Sequence, residues 1–379
     1  MQSLDDYRDK IDDIDKKLVS LFEKRMDIVL NVAKFKKENN VEVLQNDRED
    51  EVLKNAVSNL SNHDYDNEAV KFLQAIMQIS RGYQKKQISS FNDIARLNMQ
   101  KAEMYKDSKA GFPGVPGSFS EEALIKFFGN KTQRISYEEF EDVFIALDKG
   151  EIDYGVLPIE NSSTGAISLV LDLLKKYEFY IVGEDCIKIE QHLLGIKGTK
   201  LEDIKEVYSH PQGIEQSSEF LMQNKSWKLI PFHNTATSAK LVKDLNDKSK
   251  VAISGKRAAD IYGLEIIKEK INNADDNNTR FAIISKKFFE PKDANKVSVV
   301  FSLENKVGTL YNLLSYFAEN NINMIKIESR PMKDAPWKYL LYVDFDGSLK
   351  RLETGNALNL IEEKSEYFRL LGSYKKAVY

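Results

Sequence analysis

Several polar residues in the first ninety positions have types and spacings suited to holding an anion. Arg25 and Lys36 are eleven residues apart. At about 100° per residue they differ by only about 20° around a helix, so they share a face. Arg8 lies roughly 100° off that face. One flat anion site on a single helix cannot easily use all three, whereas a dimer can if Arg8 comes from the other chain. Arg48 and Glu49 open a second helical run, and Ser80 and Gln84 are i, i+4 neighbours on a third. Each residue alone reads as a solvated charge or polar surface group; together they form a constellation.

Four further motifs could do chemistry in the middle of the chain. Gly114-Val115-Pro116-Gly117-Ser118-Phe119-Ser120 precedes a helix beginning Glu121-Glu122-Ala123-Leu124. It reads as a turn with a serine cap, or as an anion site of backbone N–H groups at a helix N-terminus. Pro158-Ile159-Glu160-Asn161-Ser162, followed by Gly165, ends one apolar strand, and Tyr208-Ser209-His210-Pro211-Gln212 ends another. Ligands bind at strand ends in open α/β sheets. Asn278-Thr279-Arg280-Phe281 leads into an apolar strand over residues 281–284. Farther on, Gly308-Thr309-Leu310-Tyr311 opens a helix, and Glu328-Ser329-Arg330-Pro331 ends a strand twenty residues after Gly308.

The elements that must position these residues fall into three textures. Residues 1 to about 90 have few glycines and no proline. Leu4, Ile11, Ile14, Leu18, Leu21, Phe22, Ile28, Val32 and Phe35 recur with helical period. A short run follows around Val52, Leu53, Ala56 and Leu60, then a long one with Asn62 as a possible cap. The pattern predicts a long–short–long helical domain. Residues 91–106 read as a polar linker. From Gly111 onward, short apolar runs at 154–159, 180–182, 207–209, 251–253 and 281–284 alternate with helical stretches, which predicts α/β layering over 107–288. From Val297 the order is strand, helix, strand, strand, helix, strand. Strands are predicted near 297–303, 323–329, 339–345 and 368–374, with helices near 309–319 and 351–364. This βαββαβ unit, within 296–379, has the make-up of a ferredoxin-like α+β module.

Composition narrows the functional classes. At 379 residues, two or three domains are expected. A net charge of -4 gives no electrostatic case for nucleic acid or an anionic membrane. No apolar run has the length of a membrane span. Residues 1–10 are polar and charged, so no signal peptide is expected. A single cysteine, Cys186, fits a reducing compartment, and the expected location is cytoplasmic. His63, His192, His210 and His233 match no metal-ligand spacing, so no metal or other cofactor is expected.

Arg8, Arg25, Lys36, Arg48, Glu49, Ser80 and Gln84 resemble, in order and nearly in spacing, the active-site residues of the all-helical chorismate mutases. The resemblance covers residues 4–88. It implies that Arg8 of a second subunit and Arg25 clamp carboxylates, helped by Arg48 and Ser80. Lys36 and Gln84 would donate to the breaking ether oxygen, and Glu49 would accept from the ring hydroxyl. Gln45 stands where relatives often carry aspartate, so it can bond a hydroxyl without charge. This chemistry is unimolecular: it holds a folded dianion and stabilises charge on one oxygen.

The four middle motifs, together with Thr235-Ala236 and Tyr262-Gly263-Leu264, resemble prephenate dehydratase over residues 109–287. That family implies a two-lobed α/β domain of the periplasmic-binding-protein type with its active site between the lobes. Thr279 is the implied donor to the leaving hydroxyl. Glu160 is a candidate proton source if burial raises its pKa. Arg280 could clamp a carboxylate or serve as structural support. Ser118, Asn161, Ser209 and His210 are expected cleft residues. One departure concerns Ala110-Gly111-Phe112-Pro113, which predicts a short or irregular first strand. The Gly308 and Glu328-Ser329-Arg330 motifs resemble the ACT domain of prephenate dehydratases. The resemblance implies L-phenylalanine bound near Gly308, Leu310, Glu328, Ser329 and Arg330, between two such domains.

The whole chain thus resembles the bifunctional chorismate mutase–prephenate dehydratases, implying chorismate and prephenate as substrates, L-phenylalanine as effector, and a homodimer or homotetramer. One alternative keeps only the dehydratase active, with the helical domain as a dimerisation module. Another is a ligand-binding regulator without turnover, which would need neither Glu160 nor Thr279. A nicotinamide-dependent dehydrogenase is excluded because no Gly-x-Gly-x-x-Gly follows a strand.

Overall fold

The computed structural model describes residues 3–38, 46–88, 108–332 and 335–378. The chain divides into two compact units, 1–96 and 97–379.

In the first unit, scarce glycine and periodic apolar residues give three helices: α1 (Leu4–Glu38), α2 (Asn46–Ser58) and α3 (Asp66–Ile88). Ser3 and Asp6 cap α1 reciprocally. The Asp6 N–H donates to Ser3 Oγ at 3.1 Å and the Ser3 N–H to Asp6 Oδ2 at 2.7 Å. Asn62 caps a single 3₁₀ turn just before α3. The long–short–long expectation holds. Along α1, Leu4, Tyr7, Ile11, Ile14, Leu18, Leu21, Ile28, Val32 and Phe35 follow a heptad spacing, with Arg25 in the same seam. All nine apolar members are exposed, Ile14 at 55 % and Ile28 at 65 %. One chain therefore leaves unburied the stripe that made this helix legible.

The second unit begins with a mixed sheet built from β1 (Lys109–Pro113), β2 (Gln133–Tyr137), β3 (Tyr154–Asn161), β4 (Gly165–Ala166) and β5 (Tyr180–Lys188). Between them run α4 (Phe119–Phe128), α5 (Phe140–Lys149) and α6 (Ser168–Tyr177). The chain then crosses to a second lobe. This holds β6 (His192–Gly195), β7 (Glu206–Ser209), α7 (Pro211–Glu215), α8 (Ser218–Met222) and β8 (Lys228–Pro231). It continues with α9 (Thr235–Leu245), β9 (Lys250–Ser254), α10 (Lys256–Tyr262) and β10 (Glu265–Lys268). The chain returns to the first lobe as β11 (Asn278–Ser285), which lies antiparallel between β3 and β5. Among the described residues the strand orders are β2-β1-β3-β11-β5, with β4 on β3, and β10-β6-β9-β7-β8. The first strand is short but not irregular. It pairs in parallel with both β2 and β3, because Gly111 lets Ile152 and Tyr137 pack against its backbone.

The C-terminal part runs β12 (Lys296–Ser302), α11 (Thr309–Glu319), β13 (Met324–Pro331), β14 (Tyr339–Asp346), α12 (Leu352–Lys364) and β15 (Tyr367–Tyr374). Its sheet is antiparallel in the order β13-β14-β12-β15. Alternation along its strands sends side chains to two faces. Phe345 meets Phe317 of α11 on one face. On the other, Val300, Leu340, Tyr342, Leu371 and Tyr374 share a core with Phe144, Leu157, Leu171 and Ile284 of the first lobe. The first lobe and the C-terminal sheet therefore pack through one continuous hydrophobic core. No helix among the described residues is long and apolar enough to cross a membrane.

Candidate active sites

In the helical unit, folding brings together Arg25 on α1 and Ser80 on α3. Arg25 Nη1 donates to Ser80 Oγ, and that hydroxyl donates to the Ile76 carbonyl at 2.7 Å. Ser80 is 4 % exposed, and burial lowers the pKa of Arg25. Arg8 and Arg48 face solvent and pair locally, with Asp5 at 3.1 Å and Glu51 at 2.5 Å. Gln45 and the side chains of Lys36, Glu49 and Gln84 lie outside the described residues.

In the second unit, a cleft of about 880 Å³ is lined by residues of both lobes. Four of the helices, α4, α5, α6 and α9, begin at its walls, with Ser118, Glu139, Ile167 and Asn234 as their N-caps. Ser118 Oγ accepts from the Glu121 N–H at 3.3 Å. Asn234 Oδ1 accepts from the Thr237 N–H at 2.7 Å. Among the described lining residues there is no lysine or arginine. Glu138 and Glu139 line it too, so what it offers an anion are the backbone N–H groups at helix starts. The loop before α4 is tied to the second lobe: Tyr262 donates to the Pro116 carbonyl at 2.7 Å, and Arg257 to Glu121 at 2.9 Å. Burial opposes ionisation of Glu121. Hydrogen bonds from Arg257 and the Gly117 N–H, with the charges of Arg257 and Arg134, outweigh it and hold its pKa low.

Ser118, Asn161, His210 and Thr279 all line this cleft. Asn161 Nδ2 donates to Thr279 Oγ1 at 2.9 Å and to Asn277 Oδ1 at 2.8 Å. Asn161 Oδ1 accepts from the backbone N–H groups of Ser163 and Thr164. The amide is thereby locked in one orientation. His210 Nδ1 accepts from the Gln212 N–H at 3.2 Å, so a neutral ring carries its proton on Nε2. Burial pushes the His210 pKa down and favours that neutral form.

Three expected site residues are placed elsewhere. Ser209 is fully buried and donates to the Ile253 carbonyl at 2.9 Å, so it braces the sheet instead of lining the cleft. Glu160 points away from Thr279 and is gripped by Arg280 at 2.7 Å and Lys326 at 2.8 Å. Burial alone would raise its pKa, but the hydrogen bond from Lys326 and the charges of Arg280 and Lys326 lower it, opposite to the shift a proton donor needs. Arg280 also contacts Glu184 at 2.9 Å and Asp344 at 2.7 Å, and does not line the cleft. Its pKa is raised: burial opposes its charge, but Asp344, Tyr374, Glu184 and Glu160 outweigh that. His192 is structural, its Nδ1 accepting from the Lys270 N–H at 3.1 Å. Gln191, Gln212, Gln216 and Thr237 line the cleft as well. Gln212 closes the motif after β7 and shares α7 with Gln216, its C-cap, whereas Gln191 and Thr237 come from other elements, and nothing in the sequence marked Gln191, Gln216 or Thr237 as a lining residue.

In the C-terminal part, Gly308 takes the left-handed conformation, φ 82°, at the start of α11. Leu310 is exposed beside it. On β13, Ser329 faces solvent while Glu328 and Arg330 are half-buried. Arg330 donates to both carboxylate oxygens of Asp172 on α6, at 3.2 and 3.1 Å.

Residues 7–85 match the family described as chorismate mutase type II, and residues 110–288 match prephenate dehydratase. The bifunctional chorismate mutase/prephenate dehydratase of Buchnera aphidicola is 31 % identical over 97 % of this chain and 95 % of its own length. The chain belongs to this bifunctional family. It is an enzyme with a chorismate mutase domain and a prephenate dehydratase domain. The chloroplastic arogenate dehydratase/prephenate dehydratase 1 of Arabidopsis thaliana is 38 % identical over 71 % of this chain and 72 % of its own. The solved prephenate dehydratase of Arthrobacter aurescens, in complex with L-Phe, is 29 % identical. It covers 71 % of this chain and 90 % of its own, with a TM-score of 0.65. The cleft lies within the dehydratase match. The sheet from Lys296 to Tyr374 lies beyond it.

Proposed function

We propose that the chain converts chorismate to prephenate in its helical domain and prephenate to phenylpyruvate in the cleft, within phenylalanine biosynthesis. Residues 296–379 form a ferredoxin-like ACT domain through which L-phenylalanine inhibits the second step. The corresponding limits are 1–90 for the mutase, 91–106 for the linker and 107–288 for the dehydratase. The protein works as a homodimer or larger homo-oligomer in the cytoplasm.

The observation that carries the dehydratase reading is the Asn161–Thr279 hydrogen bond in a cleft walled by helix starts. Prephenate is a dianion with one hydroxyl. Loss of carbon dioxide leaves the bonding pair in the ring; the hydroxyl departs and takes up one proton as water; the ring becomes aromatic. Asn161 donates to Thr279 Oγ1, so the threonine proton is free for the leaving hydroxyl. A neutral hydroxyl is a poor acid, so Thr279 positions and stabilises the leaving group and does not itself supply the proton. Neutral His210, with its proton on Nε2, offers a second donor. Backbone N–H groups at the starts of α4, α5, α6 and α9 meet the carboxylates.

For the mutase, Arg25 and Ser80 form half of a carboxylate clamp. Arg48 and Arg8, the latter from the other subunit, complete the anion site. Lys36 and Gln84 donate to the ether oxygen, and Glu49 accepts from the ring hydroxyl, with Gln45 beside it. The exposed heptad seam of α1, with Arg25 inside it, supports pairing with a second copy. The sensor reading is supported by the antiparallel order β13-β14-β12-β15 with α11 and α12 between its strands. It is also supported by the L-Phe complex of the Arthrobacter relative. Gly308, Leu310, Glu328, Ser329 and Arg330 are the proposed effector residues.

The test is to give the purified chain chorismate and follow chorismate loss and phenylpyruvate formation separately, with and without L-phenylalanine. Both reactions should run, and L-phenylalanine should suppress phenylpyruvate. If chorismate persists while added prephenate is consumed, the helical domain is only a dimerisation module. If neither substrate turns over while L-phenylalanine binds, the chain is a sensor.

A further inference from the structure

Behind Thr279, on the face of β11 turned away from the cleft, lies an ionic cluster shared between two domains. Arg280 is its centre. The dehydratase domain supplies Glu160 and Glu184. The C-terminal domain supplies Asp344, Lys296 and Lys326. Lys296 bridges Glu184 at 2.8 Å and Asp344 at 3.2 Å, and its side chain is 1 % exposed. Ser298 donates to Asp344 at 2.5 Å, and the Ala377 N–H donates to Glu184 at 3.0 Å. Three cations face three carboxylates. The dehydratase domain alone would hold one cation against two. Removing Lys296, Glu184 or Asp344 leaves a buried partner short of its counter-charge.

Two features tie this cluster to the reaction. Thr279 and Arg280 are consecutive on a strand, so one faces the cleft and the other the cluster. The β11–β3 ladder also slips register between Arg280 and Phe281. The extra residue, Ile159, is on β3, so the ladder that holds β11 is locally disrupted beside Arg280. Side-chain anchors then set the strand position where Thr279 emerges.

We infer that Lys296 and Asp344, both from the C-terminal domain, are positioning residues of the dehydratase reaction: they fix Arg280 and, through it, the hydroxyl of Thr279. This deepens the proposed dehydratase reading and rests on Thr279 acting in the cleft. It makes the C-terminal domain a structural part of the catalytic strand's support. Any shift of β12 or β14 is felt one residue from the reacting hydroxyl.

The test uses the full chain with Asp344→Asn, with the volume-conserving pair Lys296→Met/Asp344→Leu, and with Thr279→Val, each assayed with prephenate and with chorismate. The double variant removes one charge of each sign, so it leaves two cations against two carboxylates and keeps the site filled. A misplacement of about 1 Å costs up to about a hundredfold in rate. Both network variants should therefore lose about tenfold or more in prephenate kcat, with KM within about twofold. Chorismate turnover by the same preparations, which depends on the other compact unit, should stay within about twofold. Wild-type prephenate kcat in the folded double variant overturns the inference and leaves the Thr279 reading standing. So does a raised KM at unchanged kcat. Wild-type kcat in Thr279→Val removes the Thr279 reading, and the inference falls with it.

Discussion

At the scale of single residues, neighbours in one motif have opposite fates. Asn161 faces the cleft and Glu160 the ionic cluster. Thr279 faces the cleft and Arg280 the cluster. His210 lines the cleft and Ser209 braces β9. The motifs are legible in the sequence because they sit at strand ends. Which member faces the ligand is not legible, because alternation fixes only that neighbours differ. Glu160 is the case with a chemical consequence. Its lowered pKa keeps it ionised through the neutral range, with no proton to give. The kcat for prephenate should therefore not fall between about pH 6 and pH 8 through loss of a carboxyl proton, given an ordinary glutamate pKa of about 4.3. Glu160→Gln should lower the level of the profile, since Arg280 and Lys326 lose a partner, and leave its shape unchanged. A wild-type decline over that range that vanishes in the variant would make Glu160 the acid after all. Linkage gives a matching stability effect. The depressed folded pKa contributes stability that is fully present above the ordinary glutamate value and is lost as pH falls through the lower folded value.

At the scale of elements, legibility followed the burial pattern. The predicted helix over 309–319 is α11, and the C-terminal strands fall within two residues of their predicted limits. Their apolar runs mark them whether both faces are covered, as in β12, or one side meets solvent, as in β13. Two strands are longer than the sequence suggests by four residues or more. The apolar run 180–182 grows into β5, Tyr180–Lys188, and 281–284 into β11, Asn278–Ser285. Their extra residues include Glu184 and Arg280, which are buried in a shared ionic cluster with Lys296 and Asp344, so they do not read as strand. The loop between β1 and α4 depends on a different property. Gly117 has φ +90°, and a Cβ there would lie 3.0 Å from the Ala258 backbone of the second lobe. Gly117→Ala should cost about 1–3 kcal/mol in backbone strain. The cleft wall would shift with it, so prephenate KM should rise and the dehydratase should melt earlier. Unchanged KM and thermal midpoint would show that the loop absorbs the methyl group without moving either lobe.

For the whole molecule, the seam along α1 sets an assembly requirement. Nine exposed apolar side chains at heptad spacing make a stripe that a lone helical domain cannot cover from within. Ile14→Glu/Ile28→Glu should weaken helix pairing and reduce mutase kcat/KM by about a hundredfold, a loss of about 2.7 kcal/mol in transition-state stabilisation. Prephenate turnover in the same protein should be spared, since the cleft lies in the other compact unit. Equal loss of both activities would mean that the dehydratase also depends on this seam. Cys186 offers a way to watch the molecule open. It is the only cysteine in the chain, is 6 % exposed, and stands on β5 opposite Arg280 in the β11 register. Burial raises its thiol pKa, so the closed form is a poor nucleophile. Its alkylation rate therefore counts the openings that uncover this face of the sheet, and the native chain carries its own clock for breathing beside Arg280.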